Sequence, residues 1–469
     1  EMWEHLFKMG EKMWKPPRPA ATLHQNRVFL DLFWDLAKPD QETRLSAVEG
    51  LVQYLKSHNK ELEYSLTRLV NGLSHSRETA RPAFSLALGQ VLGAFTDLSL
   101  VQTLDRIKDK HDLQKVKKKL QRNAMFGSLF GVLALHQSGR LTQEPEAVLA
   151  CVQLLQTLTP HRQHLRDLPT KTMMDILNQV SPGVFEQVLF SALQSDLSTP
   201  FRTPEQLHLL LVALQRFPQT LKPKKLKKLL GFSSIIHQDN VPRLTELLKT
   251  VANSVKKEQV LPPVMLDLLR LSLKENSFHL FWTKVISEGL LKEPPGPAHY
   301  LSFRLLGAAL PLLSEEQLKE VLSGDAMRLY GLHVFSSQKP GRFQLSPEMD
   351  VFVSDFLQGC EEEALQLLVV QSFTCLCHQG CPVVSPSWRA LQHLRPDALT
   401  AYVHWLRDAF LRPQSLTQLD VSPKNNVRPL RRRQGGVHRL RKWIGARLVA
   451  VVDNQQLKKD EELIAEVSR

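Results

Sequence analysis

Leucine-rich segments with apolar residues at helical spacing recur along nearly the whole chain. In residues 41–56, for example, Leu45, Val48, Leu51 and Val52 recur every three or four positions, which is the spacing of one face of an α-helix. Alternating runs of Val, Ile and Thr bounded by Asn-Gly turns, which are typical of strands, are nearly absent. The pattern predicts an all-α protein.

Most of the predicted helices are short and are joined by links that contain Pro, Gly, Ser or Asp. Several begin with a capping residue followed by proline, as at Ser181-Pro182 and Thr203-Pro204. A long succession of such helices predicts an α-solenoid of the HEAT or armadillo type. No strict repeat at a fixed period is visible, so a compact multi-helix bundle remains the alternative.

One predicted helix contains a proline inside a regular apolar period. Pro82 lies in residues 76–92, and a proline within a helix removes a backbone donor at a typical cost of about 3 kcal/mol. The residue before it, Arg81, is biased away from helical backbone angles. We therefore expect Pro82 either to open the long helix or to kink it after one turn capped by Ser76.

Shifts in composition divide the chain into four segments. Residues 1–24 are predicted to be a disordered N-terminal segment, and residues 25–411 form the predicted solenoid. Residues 412–436 lack apolar periodicity and concentrate Pro, Asn, Gly and Arg, which predicts a basic flexible loop. Residues 437–469 are predicted to be a terminal helical pair that continues the solenoid.

Composition narrows the class of partner. The chain has 60 Lys plus Arg against 47 Asp plus Glu, a net charge of +13, which favours polyanionic partners over a small neutral metabolite. Five cysteines in 469 residues indicate a reducing compartment rather than a disulfide scaffold. No apolar run reaches the roughly 18 residues that a membrane span needs, so no membrane partner is expected.

The usual catalytic signatures do not occur. The sequence has no phosphate-binding GxxxxGK[ST] loop, no GxGxxG, no HExxH and no GxSxG, and no Asp-x-Asp pair of the kind that two-metal polymerases often carry. Asp31 and Asp35 would share one helical face, but solvated carboxylates beside an aromatic stripe are the favoured interpretation. We therefore predict no catalytic residues, no cofactor and no enzymatic activity.

The strongest metal-binding candidate is the segment TCLCHQGC. Cys375, Cys377, His378 and Cys381, with Cys360 upstream, have the right chemistry for zinc. Their spacing is poor, because two cysteines two positions apart on a helix point in different directions, and no second pair follows. Free cysteines buried at a helix end are therefore favoured, and no metal site is predicted.

Three LxxLL strings occur, at residues 207–211, 226–230 and 244–248. Such strings can dock as short helices in grooves of transcription regulators. In a leucine-rich helical protein they also arise readily as stripes that face the core, and this interpretation is favoured.

Three clusters of basic residues are the most informative feature, although each could instead be a solvated helix face or a charged loop. Dense Lys and Arg runs suit nuclear import receptors and phosphate backbones, and three of them in a chain at +13 favour a nuclear protein with polyanionic partners. Aromatic residues are not interleaved with them, so base-specific recognition is not supported. The first basic cluster is Lys115, Lys117, Lys118, Lys119 and Arg122; the second is Lys222, Lys224, Lys225, Lys227 and Lys228; the third is Arg431, Arg432, Arg433, Arg439, Arg441 and Lys442.

Several long strings resemble the vertebrate Myb-binding protein 1A family, which is related to the yeast protein called DNA polymerase V. The resemblance covers almost the whole chain from about residue 28. The strings include FLDLFWDLAKPDQETRL (29–45), RETARPAFSLALGQVL (77–92), FGSLFGVLALHQSGRL (126–141), FRLLGAALPLLSEEQL (303–318) and HRLRKWIGARLVAVVD (438–453).

The resemblance implies a nuclear and nucleolar protein with an armadillo- or HEAT-like body. It also implies co-repressor activity through binding of Myb-like and other transcription factors, and a role in ribosomal RNA synthesis and ribosome biogenesis. Pre-ribosomal RNA, DNA or chromatin are further possible partners. The expected function is thus a non-enzymatic scaffold. Direct nucleic-acid binding through the basic clusters is the alternative, and a nucleotidyl-transferring enzyme is a remote one.

Overall fold

A computed structural model describes residues 27–256, 258–337, 344–378, 381–382, 391–413, 431–452, 461 and 464–465. The chain divides into two compact units, Glu1–Ala192 and Leu193–Arg469. Most of the described residues lie in helices, which confirms the all-α prediction. The segment 25–411 that was predicted to be one solenoid spans both units, and its solenoid character stays a prediction.

The first unit contains eleven α-helices in its described part, and a π-helical turn, Phe185–Leu189, joins the last two. The helices are α1 (Arg27–Asp35), α2 (Gln41–Ser57), α3 (Leu62–Gly72), α4 (Ala80–Ala94), α5 (Leu100–Lys110), α6 (Gln121–Gln137), α7 (Pro145–Leu158), α8 (Arg162–Leu165), α9 (Leu168–Leu177), α10 (Pro182–Val184) and α11 (Phe190–Ala192).

Helices of the first unit contact the neighbours that lie one and two positions along the chain. Helix α4 packs against α2, α3 and α6, while α5 packs against both α6 and α7. The longer helices each bury one apolar stripe, as the 3.6-residue period requires. In α4 that stripe includes Phe84, Leu88 and Leu92, all at most 2% exposed. At the α4–α6 contact the backbones approach closely at Gly89, where a Cβ atom would lie 2.8 Å from the carbonyl oxygen of Ala134.

The second unit contains thirteen α-helices among its described residues, and a π-helical segment, Phe281–Ser287, continues α17. They are α12 (Gln194–Leu197), α13 (Pro204–Arg216), α14 (Pro223–Leu230), α15 (Val241–Ser254), α16 (Pro263–Lys274), α17 (Phe278–Leu280), α18 (Pro297–Ala309), α19 (Glu315–Val321), α20 (Gly324–Ser337), α21 (Ser346–Gly359), α22 (Glu363–Thr374), α23 (Pro396–Leu411) and α24 (Arg431–Val452).

Helix contacts in the second unit again join near neighbours in sequence. Helix α15 packs against α13 and α18, α18 against α21, and α23 against α22 and α24. A cluster of buried rings fills the core around α18, α20 and α22, where the Tyr330 ring lies edge-on to Phe303 at 5.3 Å and to Phe373 at 6.0 Å. Edge-to-face packing of this kind is the favoured geometry for aromatic pairs.

Pro82 lies at the start of the fourth helix and does not kink it, which is the first of the two roles predicted above. Helix α4 begins at Ala80, so Pro82 lies in its first turn, where the missing backbone donor has no intrahelical partner to lose. The backbone at residues 76–79 forms bends and turns instead of a helical turn. Pro82 therefore opens the helix.

The TCLCHQGC segment corrects a prediction. The sequence pattern predicts a helix over residues 361–378, but α22 ends at Thr374. Beyond it, Cys377–His378 (β1) pairs antiparallel with Cys381–Pro382 (β2). Gly380 and Pro382 disfavour continuation of the helix, which accounts for its earlier end. The side chains of Cys377, His378 and Cys381 lie outside the described part.

The end of the predicted basic loop at 412–436 overlaps a helix. Helix α24 starts at Arg431, so the end of the predicted loop is helical backbone. The Gly435-Gly436 pair suggested a loop, but the arginine run before it has high helix propensity and the apolar stripe after it packs against α23. Residues 414–430, the segment 1–24 and most of the second terminal helix lie outside the described residues, so those predictions stay untested.

Candidate functional site

Two members of the first basic cluster take part in ion pairs within the first unit. Lys115 Nζ lies 2.5 Å from Asp109 Oδ1, and the hydrogen bond from that pair raises the pKa of Lys115. Arg122 Nη2 lies 3.1 Å from Glu78 Oε1, which belongs to the turn before α4. These two cations are partly neutralised and help to fix the segments around α5 and α6.

The other three members of the first basic cluster are free of such pairs. Lys117, Lys118 and Lys119 are exposed in the segment between α5 and α6, where residues 118–120 form a 3-10 turn. Within the described ranges no carboxylate forms an ion pair with them. They form a compact basic edge that could contact phosphates.

The second basic cluster lies on α14. Pro223 occupies the first turn, and Gly231 ends the helix in the left-handed conformation at φ 83°, with its N–H donating to the carbonyl of Lys227 at 2.9 Å. Leu226 is the buried anchor at 4% exposure.

All five lysines of this second cluster are exposed to solvent. Lys222, Lys224, Lys227 and Lys228 form no ion pair with any carboxylate in the part of the chain that the structure describes. The helix therefore presents one dense cationic surface.

The third basic cluster is only partly available for binding. Arg441 Nε donates to the carbonyl of Phe410 at 2.9 Å, and its guanidinium lies 5.7 Å from the centre of the Phe410 ring. Arg441 therefore satisfies a carbonyl at the end of α23, and its predicted role at a polyanion site stays a prediction. Arg439 and Lys442 are exposed, whereas the side chains of Arg431, Arg432 and Arg433 lie outside the described part.

A groove beside the second basic cluster was not predicted from the sequence. It has a volume of about 440 Å³ and is formed by the segment before α13 and by one face of α15. Its residues come from two stretches about 40 positions apart and share no motif, so no sequence signal could have found them. The lining residues are Phe201, Arg202, Pro242, Arg243, Glu246, Leu247 and Thr250.

Arg243 organises this groove. Its guanidinium lies 4.8 Å from the centre of the Phe201 ring and 6.0 Å from that of Phe232, and Nη2 donates to Asn240 Oδ1 at 2.6 Å. Phe232 follows directly after Gly231, the residue that ends α14. The groove and the lysine-rich helix are therefore adjacent within the second unit.

The LxxLL strings at residues 207–211 and 244–248 bury their leucines in the core, as the favoured interpretation predicted. Leu207, Leu210 and Leu211 are at most 1% exposed, and Leu244 and Leu248 are equally buried. The third string, on α14, buries Leu226 and leaves Leu229 and Leu230 half-buried. The leucines of the first two strings are thus committed to the core of the second unit.

The described residues contain no group of three or more His, Cys, Asp or Glu side chains able to hold a metal ion. Because the side chains of Cys377, His378 and Cys381 lie outside them, the metal candidate stays untested. Cys360 and Cys375 are free, and burial raises the pKa of Cys375 to about 11, so its thiol is protonated and unreactive at neutral pH. Asp31 is exposed and Asp35 half-buried on α1. None of the described helices is long and apolar enough to cross a membrane.

Buried charged groups elsewhere in the structure bind other parts of the protein. Arg304 is 4% exposed and donates from Nε and Nη2 to both carboxylate oxygens of Glu348, at 2.8 and 3.0 Å. Arg81 is 3% exposed, donates from Nε to the His75 carbonyl at 2.8 Å and stacks on Phe126. Fixed guanidinium groups of this kind tie neighbouring helices together.

Comparison with known proteins decides the family. The family model described as DNA polymerase phi matches residues 64–469. The chain belongs to this family. The predicted resemblance to the Myb-binding protein 1A family is likewise confirmed, because the relatives found carry that name.

The relatives are similar over nearly the whole of this chain. A Myb-binding protein 1A-like protein of Danio rerio is 55% identical over 98% of the chain and 37% of its own length, and Myb-binding protein 1A of Mus musculus is 46% identical over 96% and 34%. The rDNA transcriptional regulator pol5 of Schizosaccharomyces pombe is 27% identical over 63% of the chain and 32% of its own length. The chain thus spans about a third of the curated relatives it matches, and no solved structure matches it.

Proposed function

We propose that the chain belongs to a nuclear and nucleolar regulator that acts by binding other proteins rather than by catalysing a reaction. Its partners are transcription factors of the Myb type and others, on which it acts as a co-repressor. In the nucleolus it regulates ribosomal RNA synthesis and ribosome biogenesis. The observation that supports this proposal most strongly is the similarity to proteins named for binding Myb, at up to 55% identity, and to one named for regulating rDNA transcription, at 27% identity.

The fold supports a binding role. In each unit the helices contact neighbours one to three positions along the chain, which is how helical repeats stack. We propose that each unit is built of HEAT- or armadillo-like repeats, whose exposed helix faces offer surfaces for peptides and helices of partners. The family description names a DNA polymerase, but the relatives are named for binding Myb and for regulating rDNA transcription.

Affinity capture from nuclei tests the proposal. The tagged 469-residue chain would be recovered from nuclear extract with and without nuclease treatment, and the retained proteins identified by mass spectrometry. We expect transcription factors and pre-ribosomal components to be retained in both conditions. Retention of neither class would contradict the proposal.

Direct nucleic-acid binding is the second candidate function. It is favoured by the exposed lysines of the first two basic clusters, which could contact phosphates of pre-ribosomal RNA, DNA or chromatin. The same lysines would also suit a nuclear import receptor. Contacts of this kind would be directed to the backbone and sensitive to salt.

A salt series separates this second function from the first. Removing one phosphate-binding cation makes the slope of log affinity against log salt shallower by about 0.7 to 0.9. If Lys117, Lys118 and Lys119 contact phosphates, their joint replacement by alanine makes that negative slope shallower by about two to three in filter binding to duplex DNA and RNA. Alanine at Lys56 and Lys60, two exposed lysines of the same unit, is the matched control. A slope unchanged by the triple replacement would exclude phosphate binding by these three lysines.

A further inference from the structure

The groove beside α14 combines an apolar floor with a cationic rim. Leu247 forms the floor at 6% exposure, and the half-buried Phe201 forms one wall. A volume of about 440 Å³ is within the range of sites that bind small ligands and is large enough for one bulky side chain of a peptide. The groove can therefore hold an apolar anchor.

Positive charge exceeds negative charge around the groove. Arg202 and Arg243 are exposed on its rim, and neither forms an ion pair with a carboxylate among the described residues. One carboxylate lines the groove, that of Glu246, and Lys249 Nζ lies 2.7 Å from its Oε1 and also 2.7 Å from Oε1 of Glu293, so this lysine is shared by two carboxylates. The rim therefore attracts anions.

The lysine-rich helix extends this cationic field. Phe232, directly after the end of α14, packs against Phe201 at 6.1 Å between ring centres and brings the helix to the groove. A ligand anchored in the groove thus meets further positive charge along α14. Such charge complementarity steers association and fixes the orientation of the ligand.

We propose that this groove docks an acidic peptide, in which Asp or Glu residues flank one aromatic or large aliphatic anchor. The anchor enters the groove over Leu247, and the flanking carboxylates pair with Arg202, Arg243 and the lysines of α14. The inference rests on the proposed function in one respect, that the chain binds proteins. It adds the surface and the chemistry of one partner segment.

The arrangement of the rings argues against a single-stranded nucleic acid as the occupant. Base stacking requires an open aromatic face. The guanidinium of Arg243 lies over the Phe201 ring at 4.8 Å, and Phe232 packs beside it, so Phe201 offers no free platform. An apolar floor also suits a side-chain anchor better than a sugar-phosphate backbone.

Fluorescence anisotropy with defined probes tests the docking site on the 469-residue chain. The probes are a fluorescein-labelled peptide of about 16 residues in which Glu and Ser residues flank one central Phe, the same peptide with Ser in place of that Phe, and a labelled oligo-dT of about 16 nucleotides. We expect the first peptide to bind at least about tenfold more tightly than the serine peptide, since the apolar anchor supplies about 1.4 kcal/mol or more.

Two variants separate the groove from general charge attraction. Thr250 is exposed in the groove, so Thr250→Trp fills it without changing charge, and we expect binding of the first peptide to fall by about tenfold. Arg202→Glu should weaken binding by about fivefold. Lys274→Glu, which reverses an exposed lysine of the same unit, should leave it unchanged. All four proteins should give the same circular dichroism spectrum, because the three substituted side chains are exposed.

Any one of three outcomes would contradict the proposed docking site. These are equal binding of the two peptides, wild-type affinity of Thr250→Trp for the first peptide, and tighter binding of oligo-dT than of the first peptide. Failure of this site is distinguishable from failure of the proposed function. If Thr250→Trp binds the first peptide as tightly as the wild type does while the chain still retains transcription factors from nuclear extract, the groove is excluded and the proposed function stands. If it retains none, the proposed function fails.

Discussion

The pair between Arg304 and Glu348 shows how a single charged residue joins two helices. Because Arg304 is buried on α18, removal of Glu348 deprives a desolvated cation of two charge-assisted hydrogen bonds. We expect Glu348→Ala to lower the free energy of unfolding by about 2 to 4 kcal/mol, measured in urea. Glu361→Ala, at an exposed position after α21, is the control and should change it by less than about 0.5 kcal/mol. If both variants lost the same small amount of unfolding free energy, the pair between Arg304 and Glu348 would not stabilise the fold.

The close approach of α4 and α6 depends on the absence of a side chain at Gly89. A Cβ there would lie 2.8 Å from the Ala134 carbonyl oxygen and 3.1 Å from the Gln137 Cβ. We expect Gly89→Ala to destabilise the first unit by about 1 to 2 kcal/mol, since overpacking outweighs the gain in helix propensity. At Gly183 an added Cβ atom meets nothing within 4 Å, so Gly183→Ala is the control and should be neutral or stabilising. Thermal melts of both variants and of the wild type measure the difference.

Asp267 adds an acid-sensitive contribution to the stability of the second unit. Burial opposes ionisation of this carboxylate, but hydrogen bonds from His208 and Gln215 and the nearby charge of Arg270 outweigh it and hold its pKa below the usual 3.8. A folded pKa below the unfolded one stabilises the protein above pH 3.8, and this stabilisation is lost as the pH falls further.

Thermal melts between about pH 2 and pH 7 check this expectation. The wild-type protein should lose more stability below about pH 4 than Asp267→Asn does, because the variant lacks the titrating group. Asp397→Asn, a substitution of an exposed carboxylate at the start of α23, is the control and should follow the wild-type curve. Parallel curves for the wild type and Asp267→Asn would contradict the assignment.

At the scale of residues, the sequence predicts where positive charge concentrates but not which charges are available. Lys115 and Lys117 are two positions apart in one basic run, yet the first pairs with Asp109 and the second has no described ion-pair partner. Likewise Arg441 looked equivalent to Lys442 but binds the end of a helix. Pairing depends on which carboxylates the tertiary fold brings near, and spacing along the chain does not encode that.

At the scale of elements, Arg441 links α24 to the end of α23. We expect Arg441→Ala to lower stability by about 1 kcal/mol and to speed amide hydrogen exchange in the last turn of α23, because the carbonyl of Phe410 loses its donor. Lys442→Ala, at the adjacent exposed position, should change neither. If Arg441 instead served a polyanion, its removal would flatten the salt dependence of binding without loss of exchange protection.

The apolar period predicted most helices well, because helix faces that bury leucine every three or four residues dominate this chain. The prediction for residues 41–56 matches α2, Gln41–Ser57, within one residue. It missed α14, where only Leu226 is fully buried and lysines mask the period, and α20, Gly324–Ser337. The π-helical segment Phe281–Ser287 was also unforeseen, since its hydrogen bonding depends on packing rather than on a sequence period.

At the scale of the whole molecule, long matching strings predicted the family, whereas composition alone indicated only a basic all-α protein. The division into two compact units at Ala192 and Leu193 was not visible, because both units have the same leucine-rich composition. The groove of the second unit was hidden for a similar reason. Its residues are ordinary members of two separate segments and become a site only when α15 packs beside the segment that precedes α13.

The most direct test of the proposed function measures whether the purified 469-residue chain binds a purified Myb-type transcription factor in the presence of nuclease at physiological salt. Binding would be followed by calorimetry with the wild-type chain and with alanine at Lys117, Lys118 and Lys119. The account predicts saturable binding that survives nuclease and the triple replacement, because a protein partner and not a bridging nucleic acid makes the contact. Absence of binding, or its loss on nuclease treatment, would contradict it.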